Sequence, residues 1–387
     1  MSSSVCRRLR GMFNEVSKPS PPKIKPSRPT KPVSSFSATS AATSKDKKLR
    51  DLVDRFKRSS KHPSFRRRHD TYETAVRRLA AAQKFSDIEA IIDHQKRYPD
   101  ITREGFVIRL ISLYGQAGMP EHALKLFDEM PELNCKRTIF SFNALLTAYV
   151  NAKKFDKIGE LFKELSEKLS IQPDVVSYNI VIKALCEMGS LDSAVSAIDS
   201  MDEIGIQPNL VTYNTVLDAL SKSKKLSLLE KVWSQMESRS VVPNVRSFTT
   251  RIRGLVSENQ FPEALELLEE MEKNGLKPDI FTYNVFIKGY VDVGNLEEAK
   301  MWYGKLAENG CSPDHVTFRL LIPLACEKGE LSFVLELCKK SIDLEQFLYD
   351  STLQRVVDKL VEQSKVEEAK ELVELGNNCS LHYRLNC

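Results

Sequence analysis

The segment IQPNLVTYNTVLD occupies residues 206–218, and two nearly identical segments occur elsewhere in this chain of 387 residues. They are IQPDVVSYNIVIK at 171–183 and LKPDIFTYNVFIK at 276–288, so the copies lie 35 or 70 residues apart. Extending the frame gives nine units, which start at His69, Glu104, Ile139, Val175, Leu210, Val245, Ile280, His315 and Asp350. A period of this length is typical of a solenoid of stacked repeats.

Each unit has the pattern of two helices joined by a turn. The third position is usually Ser or Thr, which caps the free N–H groups of a starting helix, and the eighth is apolar in all nine units. Glycines such as Gly189 and Gly294 can end the first helix in a left-handed conformation. Prolines such as Pro208 and Pro278 end the second. One helix pair cannot bury its own apolar stripe, so the pattern predicts an all-α solenoid of about nine helix-turn-helix repeats with a concave groove.

The positive charge of the chain is concentrated in its N-terminal part. Residues 1–68 contain 19 Lys and Arg against four Asp and Glu, whereas residues 69–387 carry a net charge of −10. The interval 1–45 is basic, rich in Ser and poor in acids, which is typical of an organellar transit peptide. A disordered basic tail is the alternative. The early arginines favour a mitochondrion over a chloroplast.

The interval 46–68 is predicted to form a basic amphipathic leader helix or linker. Leu49, Leu52, Val53 and Phe56 recur at helical spacing with basic residues opposite. This segment either assists the binding of an anionic partner or is a solvated helix beside the processing site. The predicted organisation is a transit peptide at 1–45, the leader at 46–68, a repeat array at 69–349, and a degenerate capping repeat with a tail at 350–387.

The motifs of common enzymes do not occur in the sequence. The six histidines form no H-x-E motif and the eight cysteines no C-x-x-C pair, so the ligands of a zinc deaminase are not present. Gly-rich phosphate loops, G-x-S-x-G and H-E-x-x-H do not occur either. We therefore expect no catalytic residues, cofactor, metal or small-molecule substrate. No run approaches the ~18 apolar residues of a membrane-spanning helix, so no membrane insertion is expected.

The 35-residue unit resembles the pentatricopeptide repeat, of the P-class and plant organellar type. The resemblance is clearest in VVSYNIVIKALCEMGSLDSAVSAIDSMDEIGIQPN (175–209) and IFTYNVFIKGYVDVGNLEEAKMWYGKLAENGCSPD (280–314), and it is strong over 139–314. The tetratricopeptide repeat is the rival, but it has 34 residues and usually Gly in the eighth position, which here is Ile, Leu or Val. The resemblance implies a right-handed superhelix that binds single-stranded organellar RNA.

The resemblance also implies which residues read the bases, one base per repeat. In the family, the fifth and last residues of a repeat contact one base edge. The corresponding couples are Asn143 with Asp174, Asn179 with Asn209, Asn214 with Asn244, Thr249 with Asp279, and Asn284 with Asp314. By the family's preferences these would read about 5′-UYYGU-3′, where Y is a pyrimidine. The second residues would stack on the bases, and they are Phe140, Val176, Val211, Arg246, Phe281 and Val316. The alternative for each of these polar residues is an ordinary helix cap or turn.

Three features weaken this reading and favour a second one. The flanking units carry unfamiliar couples, such as Arg319 with Tyr349. The thirteenth position, often Lys facing phosphate in the family, is basic only at Lys222. The repeat array is also acidic, which disfavours phosphate binding. The leading hypothesis is a non-enzymatic RNA-binding adaptor in mitochondrial RNA processing, stability or translation, with mRNA or rRNA as partner. The alternative is a structural subunit of the mitochondrial ribosome that contacts ribosomal proteins and carries a vestigial code.

Overall fold

The computed structural model describes residues 35–379, Tyr383 and Leu385. Most of the interval predicted to be a transit peptide therefore lies outside the described residues. The described part is helical, with no strand in it, and none of its helices is long and apolar enough to cross a bilayer. The chain divides into two compact units, 1–216 and 217–387. The prediction of an all-α array of helical hairpins is confirmed.

The first unit contains a leader and the first hairpins. Its helices are α1 (Ser35–Ser59), α2 (Pro63–Arg66), α3 (His69–Ala81), α4 (Phe85–Gln95), α5 (Glu104–Gln116), α6 (Pro120–Glu129), α7 (Ile139–Asn151), α8 (Ile158–Leu169), α9 (Val175–Glu187) and α10 (Leu191–Glu203). Short 3₁₀ helices occupy Pro99–Thr102 and Phe155–Lys157. The next helix, α11 (Leu210–Lys222), runs across the boundary between the units.

The second unit continues the same alternation of first and second helices. Its elements are α12 (Leu226–Ser238), α13 (Val245–Ser257), α14 (Phe261–Lys273), α15 (Ile280–Asp292), α16 (Leu296–Glu308), α17 (His315–Glu327), α18 (Leu331–Asp343), α19 (Asp350–Glu362) and α20 (Val366–Asn378). In the eight units from Glu104 onward, the first helix starts at the residue that the 35-residue frame predicts.

The turn inside each hairpin has the same backbone conformation. Gly189 and Gly294, at the fifteenth position, have φ values of 77° and 71°, as predicted. Where that position is not glycine the backbone is still left-handed, as at Lys224 and Asn259 with φ values of 55° and 59°. A side chain in this region costs roughly 1 kcal/mol, so stacking of the helices imposes the turn even where the residue does not favour it.

Within each compact unit, the core consists of apolar side chains between the hairpins. The side chains at the eighth position are buried in all nine units, at Val76, Ile111, Leu146, Ile182, Leu217, Ile252, Ile287, Ile322 and Val357. Aromatic contacts supplement it, as where Phe286 stacks on Trp302 with ring centroids 4.1 Å apart. Helices α5 and α7 approach so closely that a Cβ atom on Gly115 would lie 2.5 Å from the Cα of Ala148.

The leader packs on the first hairpin. Val53 and Phe56 of α1 are buried, and the Phe56 ring lies edge-on to Tyr72 with centroids 4.7 Å apart. The buried Arg66 guanidinium donates to Asp100 Oδ2 at 2.5 Å and to the Ser60 carbonyl at 2.8 Å. These contacts cover the first apolar face of the array. The predicted boundary between residues 45 and 46 falls inside α1.

Candidate nucleic-acid interface

The fifth and last residues of a unit meet the third residue of the next unit, and we call these three residues a polar layer. In the layer of Asn143, the side-chain amide Nδ2 donates to Asp174 Oδ1 at 3.1 Å, and the Ser177 hydroxyl lies 2.6 Å from Asn143 Oδ1. Asp174 Oδ1 also accepts from the Ser177 backbone N–H at 2.9 Å and caps α9. The predicted couple is therefore brought together, and it also has the capping role that was the alternative.

Two further polar layers have the same arrangement. Asn284 Nδ2 donates to Asp314 Oδ1 at 3.1 Å, and the Thr317 hydroxyl donates to Asn284 Oδ1 at 2.8 Å. In the layer of Asn179, the amide lies 3.5 Å from Asn209 Oδ1, and the Thr212 hydroxyl donates to Asn179 Oδ1 at 2.7 Å. The hydroxyl in the third position thus fixes which way the asparagine amide points.

The remaining couples differ in detail. The Thr249 hydroxyl shares a hydrogen bond of 2.7 Å with the Thr282 hydroxyl, and Asp279 Oδ1 accepts from the Thr282 backbone N–H at 2.9 Å. Asn214 is a buried residue of the first unit. Asn244 belongs to the second unit, where its Oδ1 caps α13 by accepting from the Ser247 N–H at 3.0 Å.

The carboxylates of these layers keep one oxygen available. Burial alone would raise the pKa of Asp174, but hydrogen bonds from Ser177 and Asn143 outweigh it and hold the pKa below its ordinary value. Burial would likewise raise the pKa of Asp314, but hydrogen bonds from Thr317 and Asn284 outweigh it, so the pKa is lowered. In both, Oδ1 receives every hydrogen bond made by the described residues, so Oδ2 can accept from a ligand.

The residues predicted to stack on bases project from the surface. Phe140 and Phe281 are 67% and 65% exposed, although large apolar side chains in this protein are mostly buried. The others are Val176, Val211 and Arg246, which are exposed, and Val316, which is half-buried. Each lies in the first turn of a first helix, beside a polar layer. The arrangement therefore pairs an unpartnered apolar group with a hydrogen-bonding edge at each step.

A cleft of about 690 Å³ in the second unit is lined by one residue of a polar layer and by two of the apolar residues beside these layers. Asn284 lies in its wall with Phe281 and Val316, the two residues predicted to sandwich a base. Four basic side chains also line it, Lys222, Lys224, Arg253 and Lys288, against the single carboxylate of Asp292. A base held by Asn284 would therefore have cations near its phosphates.

Three of the basic residues of this cleft are held by Asp218 and Asp292. Arg253 donates to Asp218 Oδ1 at 2.7 Å and to the Ser221 hydroxyl at 2.9 Å, and Lys222 pairs with Asp218 at 2.7 Å. Burial would raise the pKa of Asp218, but hydrogen bonds from Lys222 and Arg253 lower it. Lys288 pairs with Asp292, while Lys224 makes no ion pair with any other described residue.

Sequence reasoning missed most of these cations because it considered only the thirteenth position. Arg253 and Lys288 stand in the ninth position of their units, one helical turn after the fifth. Positions four residues apart share a helix face, so a scan of the ninth position would have found them. The signal was present in the sequence and was not used.

The flanking repeats do not form polar layers of this type. In the repeat that starts at His315, the Arg319 guanidinium lies over the Tyr349 ring at 5.3 Å from its centroid. In the repeat 104–138, Glu104 Oε1 accepts from the Thr138 N–H at 2.9 Å and from the Thr138 hydroxyl at 2.7 Å, while the fifth position is the apolar Ile108. The predicted loss of the couple outside the central units agrees with these contacts.

Comparison with known proteins identifies the class. The PPR repeat family model matches in overlapping windows, at 137–187, 173–222, 208–257, 247–292 and 278–327, and the PPR repeat model matches 109–135. This chain belongs to the pentatricopeptide repeat family. It is similar to the crystal structure of the pentatricopeptide repeat protein PPR10 from maize, with a TM-score of 0.53 and 20% identity over 97% of this chain and 48% of that one.

Several curated proteins of Arabidopsis thaliana are more similar in sequence. The pentatricopeptide repeat-containing protein At3g13150 is 52% identical over 217 residues, covering 52% of this chain and 39% of that protein. The small ribosomal subunit proteins mS79 (rPPR3b) and mS78 (rPPR3a) are 54% and 52% identical over 151 residues, 39% of this chain and 38% of each protein. The matches thus span less than two fifths of these relatives.

Proposed function

We propose that this protein is a non-enzymatic adaptor of mitochondrial gene expression that binds single-stranded RNA, one base per repeat, with a core target of about 5′-UYYGU-3′. The observation that carries the proposal is the cleft around Asn284, where this residue meets two candidate stacking residues and four basic side chains, and where Asp314 and Thr317 hold its amide. A mitochondrial setting is supported by relatives such as the pentatricopeptide repeat-containing protein At2g18520, mitochondrial, which is 42% identical over 131 residues.

The hydrogen-bonding groups of the Asn284 layer match a uracil edge. The Asn284 Oδ1 is occupied by Thr317, so the amide offers a base only its second N–H. Asp314 offers Oδ2 as an acceptor. Uracil presents a carbonyl oxygen beside the N3–H donor, so it can accept from Asn284 while donating to Asp314. Cytosine lacks a proton on N3 and meets the carboxylate less well. The layer of Asn143 and Asp174 has the same groups and takes the same base.

The base would be held by stacking and its phosphates by cations. Phe281 and Val316 would cover its two faces, and stacking of a base on an aromatic side chain contributes roughly 1–3 kcal/mol. Arg253, Lys288 and Lys224 would neutralise the backbone, which is the main sequence-independent source of RNA affinity. In the two repeats that start at Val245 and Ile280, the ninth-position residues Arg253 and Lys288 thereby supply positive charge where the thirteenth position has Ser257 and Asp292.

The test is a competition between oligonucleotides. We expect the purified protein to bind an RNA containing UUUGU more tightly than one in which these five bases are scrambled, by fluorescence anisotropy at 0.1 M salt. Substitution Asn284→Ala should weaken the preference for U at the fifth base. The matched control is Val242→Ala, because Val242 is exposed and belongs to no polar layer. This control should keep the preference for U. Equal affinity for both RNAs would contradict the proposal.

A second function, a structural subunit of the mitochondrial ribosome, is favoured by one observation. Two of the relatives are named small ribosomal subunit proteins, and they are more than 50% identical to this chain over 151 residues. In that role the array would bind ribosomal RNA or ribosomal proteins. Cosedimentation with a ribosomal subunit that persists after high-salt washing would support this function, and a free pool that binds the core RNA would support the first.

A further inference from the structure

The second concentration of positive charge lies where the leader meets the first hairpin. The interval 46–68 contains ten Lys and Arg and three Asp. Because Val53 and Phe56 are buried against the hairpin and Arg66 is tied to Asp100, this charge is fixed to the folded array. Lys61 is exposed and Lys57 is half-buried. A firmly held basic surface is therefore present beside an acidic repeat array.

Arg66 brings two chain segments together at this junction, because its guanidinium donates to the Lys61 carbonyl at 3.2 Å and lies over the ring of Tyr98, next to Arg97, at 4.4 Å from the centroid. The His94 ring lies against the backbone of Lys57 and contacts the Tyr98 hydroxyl at 3.1 Å. Burial is the largest cause that lowers the pKa of His94, and the charges of Arg97, Lys57 and Lys61 act in the same direction. We call Lys57, Lys61 and Arg97 the N-terminal basic surface.

Two acids of this junction are engaged by other cations. Asp93 pairs with Lys96 at 2.8 Å, and Asp100 is held by Arg66 at 2.5 Å. The three cations of the N-terminal basic surface make no ion pair with other residues in the described part of the chain. Their charge is thus available to an anionic partner.

The position of this surface relates it to the polar layers of the same unit. Lys61 and Arg97 lie in the segments that precede the first helices α3 and α5. Asp174 lies in the corresponding segment before α9, and these segments share one edge of a hairpin stack because each joins a second helix to the next first helix. Lys61 and Arg97 therefore lie on the base-reading edge of the first unit, and Lys57 lies close to them in sequence at the C-terminal end of α1. The neighbouring repeats have no couple to read a base.

We propose that the N-terminal basic surface binds the phosphate backbone of the RNA immediately 5′ of the bases read by the polar layers. The inference rests on the proposed function, since it takes the Asn143 layer to read the first base of the core. Backbone contacts carry no sequence information, so this surface lengthens the bound RNA without lengthening the recognised sequence. It also supplies affinity that a five-base core in an acidic array lacks.

The experiment compares three RNAs on the full chain: the core alone, the core with five adenosines on its 5′ side, and the core with five on its 3′ side. We expect the 5′ extension to increase affinity about tenfold at 0.1 M salt, and the 3′ extension to increase it less. The variant K57A/K61A/R97A should lose the affinity gained from the 5′ extension. Its slope of log K against log salt should be smaller by about 2, because each of three lost phosphate contacts contributes about 0.7.

Two controls separate charge at this surface from charge in general and from misfolding. The variant K125A/K231A/K340A removes three exposed lysines from second helices and should keep the gain. The variant K57R/K61R/R97K keeps the charges and should keep it too. The inference is overturned if both extensions act equally, or if the first variant keeps the gain. A wild-type chain that does not distinguish the core from its scramble overturns the proposed function instead, and with it the 5′ placement.

Discussion

The substitution Thr249→Asn converts one polar layer into a copy of the next. The layers of Thr249 and Asn284 both have Thr in the third position and Asp in the last. In the Asn284 layer the asparagine accepts from the threonine at 2.8 Å and donates to the carboxylate at 3.1 Å. Thr249 meets the Thr282 hydroxyl at 2.7 Å and is 9% exposed. An asparagine there can form both bonds of its neighbour.

The expected magnitude follows from the two base contacts that change. The new layer would offer a single N–H beside the free oxygen of Asp279, which suits U rather than G at the fourth base. A pair of hydrogen bonds to a base edge discriminates by about 1–3 kcal/mol, which corresponds to roughly 5- to 150-fold in Kd. Thr and Asn have similar volumes, so the melting temperature should change little.

The assay measures the ratio of Kd values for two RNAs that differ only in the fourth base of the core, G or U. Wild type should prefer G, and Thr249→Asn should prefer U or lose the preference. The reciprocal variant Asn284→Thr should shift the fifth base from U towards G and leave the fourth unchanged. The reasoning is refuted if neither ratio moves while both variants remain folded and bind RNA.

The other predictions concern stability and stacking. The pKa values of Asp174 and Asp314 in the folded protein lie below the unfolded value of about 3.9. The two carboxylates therefore stabilise the fold at neutral pH, and this stability is lost as the pH falls through the folded pKa. The melting temperature of D174N/D314N should be lower than that of wild type at pH 7 and should approach it in acid. Phe281→Ala should weaken core binding by about 1–3 kcal/mol without lowering the melting temperature, because the ring is exposed; a large loss of stability would argue against a stacking role. Gly115→Ala should destabilise by about 1–3 kcal/mol in thermal unfolding, because its Cβ would collide with α7, whereas Gly304→Ala, in open space within α16, should be neutral or stabilising.

The period of the sequence was sufficient to predict the helices and the core. The hydroxyl, apolar and glycine positions recur every 35 residues, and each has a local physical consequence: a cap, a buried stripe or a left-handed turn. The left-handed Lys224 shows where local preference stops being informative, because the packing of two helices sets its backbone. The prediction held there because the frame placed the turn, although the residue type did not indicate it.

The candidate site was only partly predictable, because its contacts join residues from different units. The sequence indicated Ser177 as a cap, but its bond to Asn143 depends on how two hairpins stack. The role of Arg66, which ties the leader to Asp100, likewise depends on a contact 34 residues away. The ninth-position cations Arg253 and Lys288 were detectable in the sequence, but that they line one cleft with Lys224 depends on the fold.

The most direct test of base reading is a site-specific crosslink. A photoactivatable 4-thiouridine would replace the uridine at the fifth base of the core, and the crosslinked peptide would be identified by mass spectrometry. We predict attachment at Phe281 or Val316, which flank Asn284 in the cleft. When the thiouridine is moved to the third base, the crosslink should move by two repeats towards the N-terminus. Attachment to the second helices, or at sites that do not move with the base, would contradict the account.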